Sequence, residues 1–265
     1  MTKTIMITGA TDGIGFETAK VIAAQGHTLL LHGRSAQKLE DTAAQIANIP
    51  GAGKVHTYRA DLTDLSAVRA MANEIKNGFE AIDVLINNAG VFVTSHPITA
   101  DGYDTRFIVN AVAPYLLTKL LLPMFSSTGR VVNLSSAAQS PVQLDDFLNK
   151  RSFSDNAAYA QSKLALTMWS AELGQELDAN GPSIIAVNPA SFLGSKMVKD
   201  AYGQSGKDLQ IGADILTRAA LSEEFADASG RYYDNDRKAF AQPHPDALDS
   251  AKNKRVVEAV EHLIS

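Results

Sequence analysis

The 265-residue chain contains no cysteine. That excludes disulfides and thiolate metal sites, and it is compatible with a reducing cytosol. Six histidines are present, but none stands at metal-ligand spacing, so no metal centre is expected. Positive charge is not in excess: 24 Lys and Arg face 29 Asp and Glu, a net charge of −5 that argues against a nucleic-acid partner. No leader-like stretch opens the chain, because Met1-Thr2-Lys3 runs straight into Ile5-Met6-Ile7. Long uninterrupted apolar runs are missing too. The most apolar segment, Ala111–Phe125, carries Lys119 and two prolines and is shorter than a bilayer requires, so it reads as a buried or interface helix. The matching expectations are a cytoplasmic protein with no membrane partner; a homo-oligomer is compatible with the sequence.

What is present is 45% apolar residues, enough for a large core. Apolar runs alternate with helical patterns. The runs are Ile5–Ile7, Thr28–His32, Val55–Ala60, Ile82–Asn87, Arg130–Leu134, Ser183–Asn188 and Gly230–Tyr233. Helices are expected from Ser35 to about Ala47, from Asp61 to about Lys76, from about Asp104 to Phe125, and over Ala157–Ala179 and Ala213–Leu221. Continuous apolar strands in repeated βα units mean a parallel sheet covered on both faces. The fold class is therefore α/β: a doubly wound, Rossmann-type parallel sheet of about seven strands. No linker or composition shift divides the chain, so residues 1–265 read as a single domain. Ligands of such a sheet bind at the carboxyl ends of its strands.

Thr8–Gly15 lies at the first of those ends, between a strand and a helix. Glycines there let a phosphate approach the main chain, and the helix start presents unpaired N–H groups. The spacing Gly9, Gly13, Gly15 is not G-x-G-x-x-G, which would need glycine at Thr18. The second strand ends His32-Gly33-Arg34-Ser35. No acidic residue waits there for ribose hydroxyls; Gly33 leaves space, and Arg34 and Ser35 suit a 2′-phosphate. Asp61, closing the third strand, suits an adenine amino group. Asn87-Asn88-Ala89-Gly90 closes the fourth, where Ala-Gly lets a ribose come close.

Tyr159 and Lys163 are four apart and share a helix face. A phenol of pKa about 10 is a poor acid or base at neutral pH, and a nearby ammonium lowers that value. The pair therefore suits general acid–base work. Ser136, at the end of the fifth strand, is placed to hydrogen-bond a carbonyl oxygen.

Together these residues resemble the short-chain dehydrogenase/reductase family over nearly the whole chain. The carriers are Thr8-Gly9-(x)3-Gly13-Ile14-Gly15, Asn87-Asn88-Ala89-Gly90, Asn110, Ser135-Ser136, Tyr159-(x)3-Lys163 and Asn188-Pro189. The long connection from Ser136 to Tyr159 resembles retinol-dehydrogenase-like, broad-substrate reductases. The resemblance implies a catalytic tetrad of Asn110, Ser136, Tyr159 and Lys163, with Ser136 rather than Ser135 at the family position. It implies a dinucleotide held by Gly9, Thr11, Asp12, Gly13, Ile14 and Gly15 at the first turn. Arg34, Ser35, Asp61 and Leu62 would hold its adenosine half. Asn88, Ala89, Gly90, Tyr159, Lys163 and Pro189 would hold its nicotinamide half. Two departures stand out: the family's Pro-Gly is Pro189-Ala190 here, and the Thr expected soon after is absent from Gly194-Ser195. Asp12 stands where many NADP-using relatives carry a basic residue.

The expected activity is hydride transfer between NADP(H), favoured over NAD(H), and a small-molecule carbonyl or alcohol. The substrate walls expected are Val91–His96, Ala137–Phe153 and Phe192–Ile211, with Phe92, Phe147, Phe192, Met197 and Tyr202 making the lining apolar. A catalytically silent NADP(H) sensor on the same fold is the alternative, and an intact Tyr-Lys pair argues against it. A nucleotide-sugar epimerase would need a larger C-terminal region and a different glycine spacing. Finally, Pro114 has no N–H to give the Asn110 carbonyl, so the helix should bend there. By resemblance, that carbonyl holds a water leading to Lys163.

Overall fold

The computed structural model describes residues 2–177, 181–203 and 205–265, without the side chains of 201 and 202. Tyr202 as a wall residue, and the expected helix end at Ala179, lie outside what is described. Strands β1 (Thr4–Ile7), β2 (Thr28–Gly33), β3 (Val55–Arg59), β4 (Val84–Asn87), β5 (Arg130–Leu134) and β6 (Ser183–Asn188) are parallel, joined by β7 (Tyr232–Asp234). An eighth strand, β8 (Ala239–Ala241), pairs antiparallel with β7, so the order is β3-β2-β1-β4-β5-β6-β7-β8. The sequence pattern predicts about seven strands. The extra one is three residues long and part-exposed, too short to announce itself.

Strand alternation sends side chains to two cores. Ile5 and Ile7 of β1 join one with Leu29, Leu31, Val132 and Ile185, while Met6 joins the other with Leu30, Leu85 and Val131. Each fully buried Ile or Leu contributes roughly 1.5–3 kcal/mol. Helices α1 (Gly13–Ala23), α2 (Ala36–Ala47) and α3 (Leu65–Gly78) start on side-chain caps from Asp12, Ser35 and Asp64. These caps satisfy N–H groups that a helix start leaves unpaired.

The fourth helical run opens as α4 (Thr105–Phe107) and passes through a π-turn at Ile108–Val112. It then continues as α5 (Ala113–Leu121) and ends in a 3₁₀ turn, Leu122–Met124. The π-turn lies where Pro114 leaves the Asn110 carbonyl without its helical N–H: Ala113 N–H goes to Ile108 O, five residues back. The run Thr105–Met124 is 20 residues, long and apolar enough to cross a membrane, and 78% of its most apolar window is buried inside the protein. Its length is thus that of a spanning helix, contrary to the sequence expectation, and most of it is buried inside the protein. Beyond it lie α6 (Leu144–Leu148), α7 (Asp155–Leu177), α8 (Lys196–Tyr202), α9 (Gln210–Leu221) and α10 (Ser250–Ile264). From Ala158 to Gly174 most α7 residues are buried, because α10 packs on the side that the sheet and the π-turn leave open.

Candidate active site

The first turn is built by close approach. Gly9 has φ +66°, and a Cβ there would lie 2.9 Å from Ala89 Cα; a Cβ on Gly15 would lie 2.3 Å from Asn88 Nδ2. The contact is held by Asn88, whose Nδ2 donates to Thr8 O at 2.9 Å and Gly9 O at 3.1 Å, and by Ala89 N–H donating to Thr8 Oγ1. The glycine loop and the Asn88-Ala89-Gly90 turn are thus one cradle of main chain, opening onto the N-terminus of α1. Such a cradle fits a pyrophosphate. Asp12 Oδ1 accepts from Gly13 N at 2.7 Å, so this carboxylate is drawn onto the helix start. The Cβ of Ser195 sits 3.7 Å from where a Cβ on Gly13 would be, bringing the chain after β6 over the same turn.

His32 ties this loop to the next strand end, and no sequence pattern singled it out. It is buried; Nδ1 accepts the Gly9 N–H at 3.2 Å, and Nε2 lies 3.1 Å from Ala60 O. Those partners require the neutral ring with its proton on Nε2. Burial pushes its pKa down to about 4, against a smaller pull upward from the Ala60 carbonyl.

At the adenosine end Arg34 is exposed, and Ser35 caps α2 through Lys38 N. The space read at Gly33 is filled: a Cβ there would meet Thr11 Cγ2 at 2.7 Å and Leu39 at 3.3 Å. Its missing side chain admits protein packing, not a phosphate. Arg59, not foreseen, donates from Nε to Arg34 O at 3.2 Å, so a second guanidinium stands at this strand end. Asp61 Oδ1 accepts from Thr63 N and Oγ1, and Leu62 is buried in the core.

At the other end three elements converge on Gly90. A Cβ there would lie 3.3 Å from Asn110 Oδ1, 3.4 Å from Lys163 Nζ and 3.9 Å from Met197 Cε. Lys163 is buried, donates to Leu134 O at 2.7 Å, and has its pKa pushed down by burial to about 8. The Tyr159 ring centroid lies 5.7 Å from Lys163 Nζ and 4.7 Å from the ring of Phe92. Asn110 is pinned on both sides: Oδ1 accepts from Val91 N, and Nδ2 donates to Val91 O and Ser162 Oγ. The two serines after β5 have different surroundings. Ser135 is buried against Thr167 Oγ1 at 2.6 Å, while Ser136 is half-buried, with Oγ accepting from Ala138 N at 3.1 Å. Tyr232 donates its hydroxyl to Ser136 O.

Of the expected wall residues, Phe92 is beside Tyr159 and Phe192 is exposed. Phe147 is not a wall: it is 2% exposed and stacks on Phe107 at 4.3 Å, so it belongs to the core. Pro189 follows β6, with its carbonyl held by Asn235 Nδ2 at 3.0 Å. Among the described residues no group of His, Asp or Glu could hold a metal ion.

The chain is similar to known proteins over nearly its whole length. The family model described as short chain dehydrogenase matches residues 3–205. Human retinol dehydrogenase 13 is 34% identical across 96% of this chain and 82% of its own length. Human polyprenol dehydrogenase is 31% identical across 88% and 77%. A crystal structure from Mycobacterium Paratuberculosis superposes with TM-score 0.80 at 29% identity, covering 99% of this chain and 93% of that one.

Proposed function

The chain belongs to the short-chain dehydrogenase/reductase family, and from that premise we propose that it is an NADP(H)-dependent oxidoreductase of an apolar ketone, aldehyde or secondary alcohol. The observation that carries this reading is the convergence of Lys163 Nζ and Asn110 Oδ1 on the bare face of Gly90, one helical turn from Tyr159. A side chain at 90 would fill that space, so the residues present fit a ribose there. The cradle of Gly9, Gly13 and Gly15 would hold the pyrophosphate. Arg34 and Arg59 support a 2′-phosphate, since a guanidinium fork matches its oxygens.

A nicotinamide held against Gly90 by Lys163 and its neighbours would supply or accept the hydride. Ser136 Oγ holds the substrate oxygen, and Tyr159 gives or takes the proton on it. Lys163 keeps a positive charge beside the phenol and so favours its ionised form. The Asn110 amide fixes Val91 and Ser162, and with them the spacing of the site's two walls. Phe92 beside Tyr159 and Met197 over Gly90 support an apolar substrate. So do relatives whose names are retinol and polyprenol dehydrogenase. The test is steady-state oxidation of NADPH and of NADH against a panel of carbonyls graded by apolar size. Turnover with NADPH, rising with apolar size, supports the reading. Nucleotide binding without turnover of any carbonyl, or of any alcohol in the reverse direction, would instead favour a sensor.

A further inference from the structure

The segment after β6 is held in a conformation its residues resist. Ala190 has φ +117° and Phe192 φ +58°, in the region that favours glycine. Something must hold the segment there, and the turn between β7 and β8 supplies it from forty-odd residues away. Asp236 accepts the Ser191 N–H at 3.0 Å, the Ser191 hydroxyl at 2.5 Å and Asn188 Nδ2 at 3.0 Å. Asn188 Nδ2 also donates to Asp234 Oδ1, which turns the amide so that Oδ1 faces Ala190 N at 3.4 Å. Asn235 Nδ2 donates to Pro189 O and more weakly to Ile211 O. Lys207 Nζ is 3.7 Å from Asp236, and the Lys207 backbone pairs with Phe192 and Gly194. Burial raises the Asp236 pKa, but the bonds from Ser191 and Asn188, with the charge of Lys207, outweigh it and hold the carboxyl below its ordinary value.

Resting on the nucleotide-binding reading above, we propose that Asp236 is a positioning residue for the nicotinamide end of the site. It latches Pro189–Phe192 in a strained path that brings Pro189 and the chain after it to the reacting end. A glycine at 190 would take that angle freely; with alanine there, a distant carboxylate holds it. The latch carries charge-assisted bonds to a backbone N–H and a hydroxyl, which a neutral side chain reproduces only in part.

The test uses Asp236→Ala, Asp236→Asn, Ala190→Gly and the double variant Asp236→Ala/Ala190→Gly. Two readouts are taken: amide hydrogen exchange at residues 190–194 without nucleotide, and kcat, KM and nucleotide Kd with NADPH. In Asp236→Ala, exchange at 190–194 rises about tenfold or more, while exchange in β1 and α1 stays put. Its kcat falls roughly ten- to a hundredfold, as misplacement of a reacting group does, with a smaller change in Kd. Asp236→Asn lies between, and it serves should the alanine variant not fold. Ala190→Gly removes the strain, so Asp236→Ala costs much less in that background. Unchanged exchange, or a loss that is the same in both backgrounds, overturns the latch. Wild-type protein that binds neither NADPH nor NADP⁺ overturns the functional reading instead, and the exchange arm still decides the latch.

Discussion

The side-chain amide of Asn110 donates to Ser162 Oγ at 3.0 Å, and that hydroxyl donates in turn to the Tyr159 carbonyl at 2.8 Å. A residue in the π-turn therefore fixes the turn of α7 that carries both Tyr159 and Lys163. Asn110→Ala leaves the part-buried Val91 N–H and C=O without these partners, which costs up to about 1–3 kcal/mol for each group that stays unpaired. The expected outcome is a lower Tm together with a kcat loss larger than the change in KM. Equal losses in kcat and nucleotide affinity would place Asn110 in binding instead.

Pro114 offers the Asn110 carbonyl no N–H, and the chain answers with a π-turn rather than a simple kink. Pro114→Ala supplies a donor that competes for that carbonyl. A carbonyl serving a water relay to Lys163 then loses its water, and kcat falls several-fold with Tm held or raised. Full kcat in Pro114→Ala would show that the proline serves packing alone.

His32 sets an acid limit. Its pKa is lowered from 6.5 when unfolded to about 4 when folded, so between these values the unfolded chain binds a proton that the folded chain refuses. The stability linked to the neutral ring is thus complete above pH 6.5 and is lost as pH falls toward 4, by up to about 3 kcal/mol. His32→Asn puts an amide oxygen where Nδ1 accepts the Gly9 N–H. It should flatten the loss of Tm over that window, and unchanged acid sensitivity would move the cause elsewhere.

On the proposed NADP(H) reading, cofactor choice is set at the second strand end. Arg34→Ala should cut the preference for NADPH by roughly tenfold, the worth of one charge-assisted bond, and Arg59→Ala by a smaller factor. Asp12→Asn keeps the cap on Gly13 N–H but drops the negative charge, so the preference should sharpen without loss of Tm. Gly33→Asp is not a clean switch, because its Cβ would strike Thr11. Dissociation constants for both nucleotides at low salt check each point, and equal affinities in the unmodified protein would show that Arg34 and Arg59 take no part.

Strands β1, β2, β4, β5 and β6 were legible as apolar runs buried along nearly their whole length, and the largely exposed β3 as the next step in the βα alternation. The tetrad motif was legible by resemblance, and the structure brings Asn110 and Lys163 together at Gly90. What escaped was whatever depends on contact between distant segments. Phe147 reads as lining from its loop position, yet Phe107 claims it. Gly33 reads as room for a ligand, yet Thr11 needs that room. His32 reads as one more strand residue until Gly9 and Ala60 are brought to its two nitrogens. Asp236 is 45 positions from Ser191, beyond the reach of any local pattern. Helix α10 carries its own local signals, with Asp249 as its cap and the buried Val256 and Val260 on one face.

Tyr159 is the residue on which the proposed proton transfer turns. Lys163, with its pKa lowered to about 8 by burial, sits beside a phenol whose hydroxyl is the only part that phenylalanine lacks. The decisive measurement is kcat for NADPH-dependent carbonyl reduction by Tyr159→Phe, alongside the NADPH dissociation constant of the same protein. The expected result is a fall in kcat of at least about 10²–10⁴ with Kd within a few-fold of wild type. A variant that turns over near the wild-type rate would contradict the mechanism, whatever its affinity for the nucleotide.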